Sequence, residues 1–227
     1  MAIVVAARRS TGTLGIAMGD DPVLEAICEE LVSVHGVHTI LLYGSRADGS
    51  ASDDSDYDIA AFGPITELLR IARPQGLGYL DAWVYPNESL AEPTEESLRL
   101  RGSKVLLQRG DAVEVFLANI ESMYRRGPTR LTSNEIQARR VWARKMLARI
   151  ERADPEGNYR RIWLLQALLE DYFQQRGLWF EGPKKALRWL AASDVPAYHA
   201  YCQALEPGAS NQTIATLVQV FHGASDA

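Results

Sequence analysis

"LLYGSRADGSASDDSDYDIAAF", residues 41–62, begins and ends with the apolar runs typical of buried strands and carries four aspartates within six residues between them. The apolar runs predict two strands, the first ending at Gly44 and the second beginning near Asp56. A glycine directly after a buried strand lets the backbone turn tightly and approach a ligand closely. The stretch therefore predicts a polar site at one edge of a sheet.

Asp56 and Asp58 are the two acidic residues that enter the second strand. Residues two apart in a strand point to the same face, so we expect their carboxylates to project together. Mg²⁺ is bound in proteins by carboxylates combined with substrate phosphates and retained waters. This pair therefore indicates a site for a metal-bound triphosphate. Asp53 and Asp54 lie in a serine-rich loop and are expected to be solvated turn residues.

The turn before this cluster would hold the phosphates. Ser45 offers a hydroxyl and a backbone N–H near the predicted start of a short helix, and Arg46 adds a positive charge. Gly44 to Arg46 are therefore the predicted nucleotide-binding residues.

Asp81 is the candidate third carboxylate, because it lies inside the apolar strand "GYLDAWVY", where an unpaired charge is costly. It needs either a cation or a partner. The alternative to metal binding is an ion pair with an arginine such as Arg46 or Arg101.

Beyond these motifs, the pattern up to about residue 110 reads helix, strand, loop, strand, helix, strand, helix, strand. It predicts an α/β fold with a small mixed β-sheet core flanked by helices. Glycines and prolines then separate segments of helical period, which predict a C-terminal all-α helical bundle. These segments are roughly 111–125, 133–152, 157–176, 183–192, 194–205 and 210–222.

The domain prediction follows this change in pattern. Residues 1–19 are expected to form a flexible tail, 20–115 a catalytic domain and 116–227 a helical substrate-recognition domain. The balance of charge changes at the same boundary. Residues 1–115 hold 9 Lys+Arg against 18 Asp+Glu, and the remaining residues hold 15 Lys+Arg against 11 Asp+Glu. An acidic half joined to a basic half suggests that one gathers cations while the other meets an anion.

The apolar fraction of 47% is that of an ordinary globular protein, and no apolar run reaches the roughly 18 to 20 residues of a membrane span. At the N-terminus the positive charges follow the short apolar run, which reverses the order of a secretory signal. Two distant cysteines do not suggest a disulfide framework. We expect a cytoplasmic protein with no membrane partner.

"YGSRA" and "SDYDI", with ten residues between Ser45 and Asp56, together with the later strand Asp81, make the sequence recognisable. It resembles the DNA polymerase β-like nucleotidyltransferase superfamily, especially its bacterial minimal and antibiotic nucleotidyltransferases. Residues 38–110 carry the resemblance. It implies that Asp56, Asp58 and Asp81 bind two Mg²⁺ ions, for which Mn²⁺ can substitute, and that Gly44 and Ser45 hold the triphosphate.

The resemblance also implies a reaction. A nucleoside monophosphate, expected to be AMP from ATP, would pass to a hydroxyl of a small acceptor such as an aminoglycoside-like antibiotic, releasing pyrophosphate. Asp81 or Glu170 would act as general base. Lys184, in "RGLWFEGPKKALRWL", would approach the nucleotide or the acceptor. Asp48 departs from the family pattern, because many relatives have a basic residue there, and it adds negative charge near the expected metal site.

Two alternatives stay open. The acceptor could be a protein or an RNA, as in toxin–antitoxin pairs, or the chain could be a nucleotide-binding module without turnover. A homodimer is expected only by analogy. A nucleic acid would be met by basic residues of the helical half. These residues could instead form a solvated, salt-bridged helix face. They are Arg139, Arg140, Arg144, Lys145, Arg149, Arg152, Arg160 and Arg161.

Overall fold

The computed structural model describes residues 21–222, and the tail expected at 1–19 lies outside the described residues. The described residues divide into two compact units, one ending at Arg125 and one beginning at Arg126. In the first unit, the elements are α1 (Pro22–His35), β1 (Thr39–Tyr43), α2 (Ser45–Asp48), β2 (Tyr57–Gly63), β3 (Leu69–Gln75), β4 (Gly78–Pro86), short 3-10 helices (Asn87–Leu90 and Glu95–Leu100), β5 (Lys104–Leu107) and α3 (Ala112–Arg126).

The sheet formed by the described residues has five strands in the order β3-β4-β2-β1-β5. β2 and β4 run parallel, whereas the other neighbouring pairs are antiparallel. A small mixed sheet with flanking helices, followed by a helical region, confirms the predicted fold class.

Helix α1 covers one face of the sheet. Its start is stabilised by Asp21, whose carboxylate accepts the backbone N–H groups of Val23 and Leu24 at 3.0 and 3.1 Å, an N-cap interaction. Tyr57 at the start of β2 donates its hydroxyl to the same carboxylate at 3.1 Å. The cap therefore ties the helix to the start of β2, the strand that follows the acidic loop.

Phe62 anchors the opposite face of the sheet. Its ring is 1% exposed, stacks on Tyr85 of β4 at 5.3 Å between centroids and meets the edge of Phe116 of α3 at 5.4 Å. Aromatic pairs in these arrangements add to the stabilisation from burial. The acidic cluster lies on this face, towards the end of β2 away from Phe62.

Strand β3 corrects the predicted order of elements, because a helix was expected between the second and third strands. Leu69–Gln75 instead forms an edge strand that pairs with β4 through a two-residue turn at Gly76 and Leu77. Gly76 has φ +65°, which suits such a turn. Pro74 is tolerated because an edge strand leaves one row of N–H groups without ladder partners.

The second unit consists of helices. They are α4 (Ser133–Ile150), α5 (Pro155–Gln175), α6 (Pro183–Ser193), α7 (Val195–Leu205) and α8 (Asn211–His222). Leu164, Leu168 and Tyr172 of α5 are each at most 2% exposed. None of the helices in the described part of the chain combines the length and the apolar composition that a membrane span requires.

A buried polar cluster lies within this unit. Asp171 of α5 is 6% exposed and accepts a hydrogen bond from Arg139 of α4. His222, at the end of α8, is 4% exposed, and its Nδ1 accepts the amide of Gln175 at 2.7 Å. Burial, together with the positive charges of nearby arginines, lowers the pKa of His222 to about 4. The folded unit therefore disfavours a proton on His222.

This cluster predicts acid sensitivity. Since an unfolded histidine has a pKa near 6.5, the unfolded chain binds more protons than the folded chain at pH values between about 4 and 6.5. The contribution of His222 to the free energy of unfolding is thus retained above that pH range and lost as the pH falls through it. The loss amounts to about 3 kcal/mol at pH 4. We expect His222→Gln to show a shallower fall of melting temperature with acid, measured by circular dichroism.

His199→Gln is the matched control, because His199 is an exposed histidine of the same unit. It should follow the wild-type pH dependence. Parallel curves for His222→Gln and the wild type would rule out His222 as the source.

Candidate functional site

Gly44 makes the turn from β1 into α2. Its backbone has φ +71° and ψ −155°, a region open essentially to glycine alone. A Cβ added here would lie 2.1 Å from Oδ2 of Asp58, so either the turn or the Asp58 side chain would have to move. The missing side chain is therefore what lets the turn pack directly against the carboxylate of β2.

Asp58 and Asp81 occupy neighbouring strands. They are register partners in the parallel pairing of β2 with β4, so their side chains emerge side by side on one face of the sheet. Asp56, just before β2, accepts the backbone N–H of Tyr79 through Oδ1 at 3.0 Å, which holds it beside the start of β4. The structure thus brings the three predicted carboxylates to the N-terminal parts of β2 and β4.

Asp81 has a partner that the sequence did not indicate. Arg70 of β3 binds it with two hydrogen bonds, Nε to Oδ1 at 2.8 Å and Nη2 to Oδ2 at 3.0 Å. The side chains are 53% and 29% exposed, so this ion pair lies at the surface. The hydrogen bond to Asp81 raises the pKa of Arg70 above its ordinary value. The arginine alternative was correct in kind, but neither Arg46 nor Arg101 is the observed partner.

A pocket of about 380 Å³ lies beside Asp56 and Asp81. Its lining includes two of the three carboxylates and both arginines of β3. The lining residues are Asp56, Arg70, Ala72, Arg73, Pro74, Tyr79, Leu80 and Asp81.

Aromatic side chains and a second arginine lie next to the carboxylates. The guanidinium carbons of Arg70 and Arg99 lie 4.9 and 5.1 Å from the ring centre of Trp83, within cation–π range. Burial raises the pKa of Tyr43 to about 12, with Arg99 opposing and Asp58 adding to the rise. Arg70, Arg99 and Trp83 were missed at the sequence level. The segment "LRIARPQ" does not alternate strictly between apolar and polar residues, so no local signal identified Arg70.

Arg46 is engaged with the acidic loop. Its Nε and Nη2 donate to the carbonyl oxygen of Ser55 at 3.1 and 2.7 Å, and its guanidinium carbon lies 3.9 Å from the ring centre of Tyr57. Lys104 of β5 donates to the carbonyl of Arg46 at 3.3 Å, bringing another positive charge to the turn. In this structure Arg46 holds the loop in place in front of β2.

Glu170 and Lys184 belong to the second unit. Glu170 is exposed on α5 and accepts a hydrogen bond from Gln174 at 2.6 Å. Lys184 is an exposed residue in the first turn of α6. Their assignment as base and as nucleotide contact stays a prediction.

The carboxylates have the right chemistry for Mg²⁺, because oxygen donors are its usual protein ligands. The close approach of Gly44 to Asp58 also leaves a turn without side-chain bulk beside them. As the side chains stand, however, Arg70 takes up both oxygens of Asp81. Among residues 21–222 there is no group of three or more His, Cys, Asp or Glu side chains placed to hold a metal ion.

The chain is similar to known proteins in structure and not in sequence. No family model matches the chain, and no curated protein matches its sequence. Among solved structures, it is similar to a nucleotidyltransferase-like protein from Exiguobacterium sibiricum 255-15, with a TM-score of 0.42 and 12% identity over 90% of this chain and 73% of that one. A likeness at this TM-score establishes neither family nor activity.

The contact between Gly44 and Asp58 gives a stability prediction. Gly44→Ala should lower the free energy of unfolding by about 2–4 kcal/mol, because it adds a steric clash to an unfavourable backbone conformation. Gly49→Ala is the matched control: its φ is +81°, but nothing lies within 4 Å of an added Cβ. It should cost only about 1 kcal/mol. Urea denaturation followed by circular dichroism measures both.

Removing the carboxylate of Asp58 tests why Gly44→Ala should cost more stability than Gly49→Ala. In an Asp58→Ala background, the cost of Gly44→Ala should fall by about 1 kcal/mol or more, since the clashing oxygen is gone. An unchanged cost would show that the clash with Asp58 does not contribute.

Proposed function

We propose that the chain transfers a nucleoside monophosphate, with ATP as donor of AMP, to a hydroxyl of an acceptor and releases pyrophosphate. One observation carries the proposal. The glycine turn after β1 packs against Asp58, which is the register partner of Asp81, and Asp56 lies beside them. A tight turn facing clustered carboxylates suits a triphosphate accompanied by divalent cations.

Asp56, Asp58 and Asp81 would hold two Mg²⁺ ions, or Mn²⁺ in their place. Divalent cations bound there would neutralise phosphate charge and favour departure of pyrophosphate. The carboxylates themselves are held by the protein: Asp56 by the backbone of Tyr79, and Asp58 by its position within β2. Such fixed placement favours alignment of the reacting groups.

The turn would receive the phosphates. Ser45 begins α2 and would offer its hydroxyl and backbone N–H to phosphate oxygens, while Gly44 allows the close approach. Arg46 and Lys104 would contribute positive charge, and Arg46 would also hold the loop through Ser55. Lys184 is the contact proposed from the second unit.

The acceptor hydroxyl would lose its proton to a carboxylate. Asp81 lies within the cluster, and Glu170 is the alternative from the helical unit. A general base must reach the proton that it removes. If Glu170 is the base, Glu170→Gln should lose turnover. Unchanged turnover in that variant would leave Asp81 as the proposed base.

Charge supports a small cationic acceptor of the aminoglycoside type. Up to residue 115 the chain holds 9 Lys+Arg against 18 Asp+Glu, which would attract a polyamine. The RNA alternative depends on the basic residues of the second unit. Three of these form ion pairs within that unit: Arg139 with Asp171, Arg152 with Asp154 and Arg160 with Glu156.

Pyrophosphate release tests the proposal. With Mg²⁺ or Mn²⁺, ATP and a responsive acceptor, Asp58→Ala should lower turnover about 100-fold or more, because the variant loses a ligand for charge stabilisation at the reacting phosphate. Asp53→Asn is the matched control, since Asp53 is an exposed acidic residue of the preceding loop. It should keep near wild-type turnover.

Labelled ATP, GTP, CTP and UTP incubated with panels of antibiotics, RNA and cell proteins would supply the acceptor for this assay. Wild-type turnover in correctly folded Asp58→Ala would contradict the proposed function. Nucleotide binding without turnover under all these conditions would favour the non-catalytic module.

A further inference from the structure

We propose that Arg70 is a displaceable counter-ion: it neutralises Asp81 when no divalent cation is bound, and it transfers to the phosphates of the nucleotide when a cation takes Asp81. This inference rests on the proposed function. It adds a positioning residue to the site and a reason for cation and nucleotide to bind together.

The geometry at Asp81 makes the guanidinium and a cation competitors. Arg70 uses Nε and Nη2 to occupy Oδ1 and Oδ2 at 2.8 and 3.0 Å. This paired geometry matches the two planar groups and engages both carboxylate oxygens. A cation that binds Asp81 must therefore share or displace the arginine.

The surroundings of Arg70 allow it to leave. It lies on edge strand β3, and its side chain is 53% exposed, so separation from Asp81 does not bury an unpaired charge. Ion pairs between exposed side chains contribute little to stability. The ring of Trp83, 4.9 Å from the guanidinium carbon, provides a second contact that keeps the arginine near the carboxylates after displacement.

The released guanidinium would meet phosphate beside the carboxylates. Arg70 and Asp81 both line the cavity of about 380 Å³, together with Asp56. A guanidinium binds phosphate oxygens as well as carboxylates. Nucleotide would thus supply the group that Arg70 needs when it gives up Asp81.

Exchange of partners predicts coupled binding. A cation that binds alone takes Asp81 from Arg70 and gives the arginine no new anion. A cation that binds with nucleotide brings phosphate, with which Arg70 can pair instead. Affinity for each ligand should therefore rise when the other is present. Arg70 would be the residue that transmits the effect.

Arg70→Gln should change the two affinities in opposite directions. Without nucleotide, Mn²⁺ should bind about 3- to 10-fold more tightly than to the wild type, because Asp81 has lost its competitor. At saturating Mn²⁺, the non-hydrolysable analogue α,β-methylene-ATP should bind about 10-fold more weakly, because a phosphate contact is lost. Electron paramagnetic resonance of free Mn²⁺ and calorimetry measure the two constants.

Arg73→Gln is the matched control. Arg73 lies on the same strand, lines the same pocket and forms its own paired hydrogen bonds, with Glu30 of α1 at 2.7 and 2.5 Å. The substitution removes the same charge but leaves Asp81 with its partner. A general electrostatic effect would appear in both variants, whereas displacement of a counter-ion would appear only in Arg70→Gln.

The outcomes separate this inference from the proposed function. If Asp58→Ala weakens Mn²⁺ binding but Arg70→Gln matches the wild type or Arg73→Gln, the counter-ion role is wrong and the metal site stands. If Asp58→Ala binds Mn²⁺ as the wild type does, the proposed metal site is wrong. Failure of both the wild type and Arg70→Gln to bind Mn²⁺ overturns both.

Discussion

The parallel pairing of β2 with β4 is the constraint on which the site depends. It makes Asp58 and Asp81 register partners, so two like charges emerge side by side on one face of the sheet. Such a pair is unfavourable without a positive charge nearby. In the structure Arg70 supplies a positive charge at Asp81.

Gly44 extends this constraint to the phosphate side of the site. Its turn lies directly against Asp58, and α2 follows at once with Ser45. The loop that carries the other aspartates is held by Arg46 through the carbonyl of Ser55. Backbone conformation, a buried strand and one arginine thus position the turn and the carboxylates together.

The fold class followed from local patterns that the structure keeps. The apolar run ending at Gly44 and the run "GYLDAWVY" became β1 and β4, and the glycine and proline breaks after residue 110 separate helices α3 to α8. The helix predicted in place of β3 was wrong. Leucine, glutamate and arginine within 67–73 also suit a helix, and only pairing with β4 makes this segment a strand.

That single misassignment explains why the partner of Asp81 was missed. Arg70 reaches Asp81 only because β3 is an antiparallel neighbour of β4, a relation between strands that no local pattern contains. The convergence of Gly44, Asp56 and Asp58 was predictable, since those residues are close in sequence. The proposed competition between Arg70 and a cation for Asp81 likewise follows from strand pairing and not from residue spacing.

Anomalous diffraction from crystals grown with Mn²⁺ and α,β-methylene-ATP tests the central claim most directly. The account predicts manganese peaks within about 2.5 Å of carboxylate oxygens of Asp56, Asp58 and Asp81, with the guanidinium of Arg70 moved onto phosphate. Nucleotide bound elsewhere, with Arg70 still paired to Asp81 and no manganese peak at these carboxylates, would contradict it.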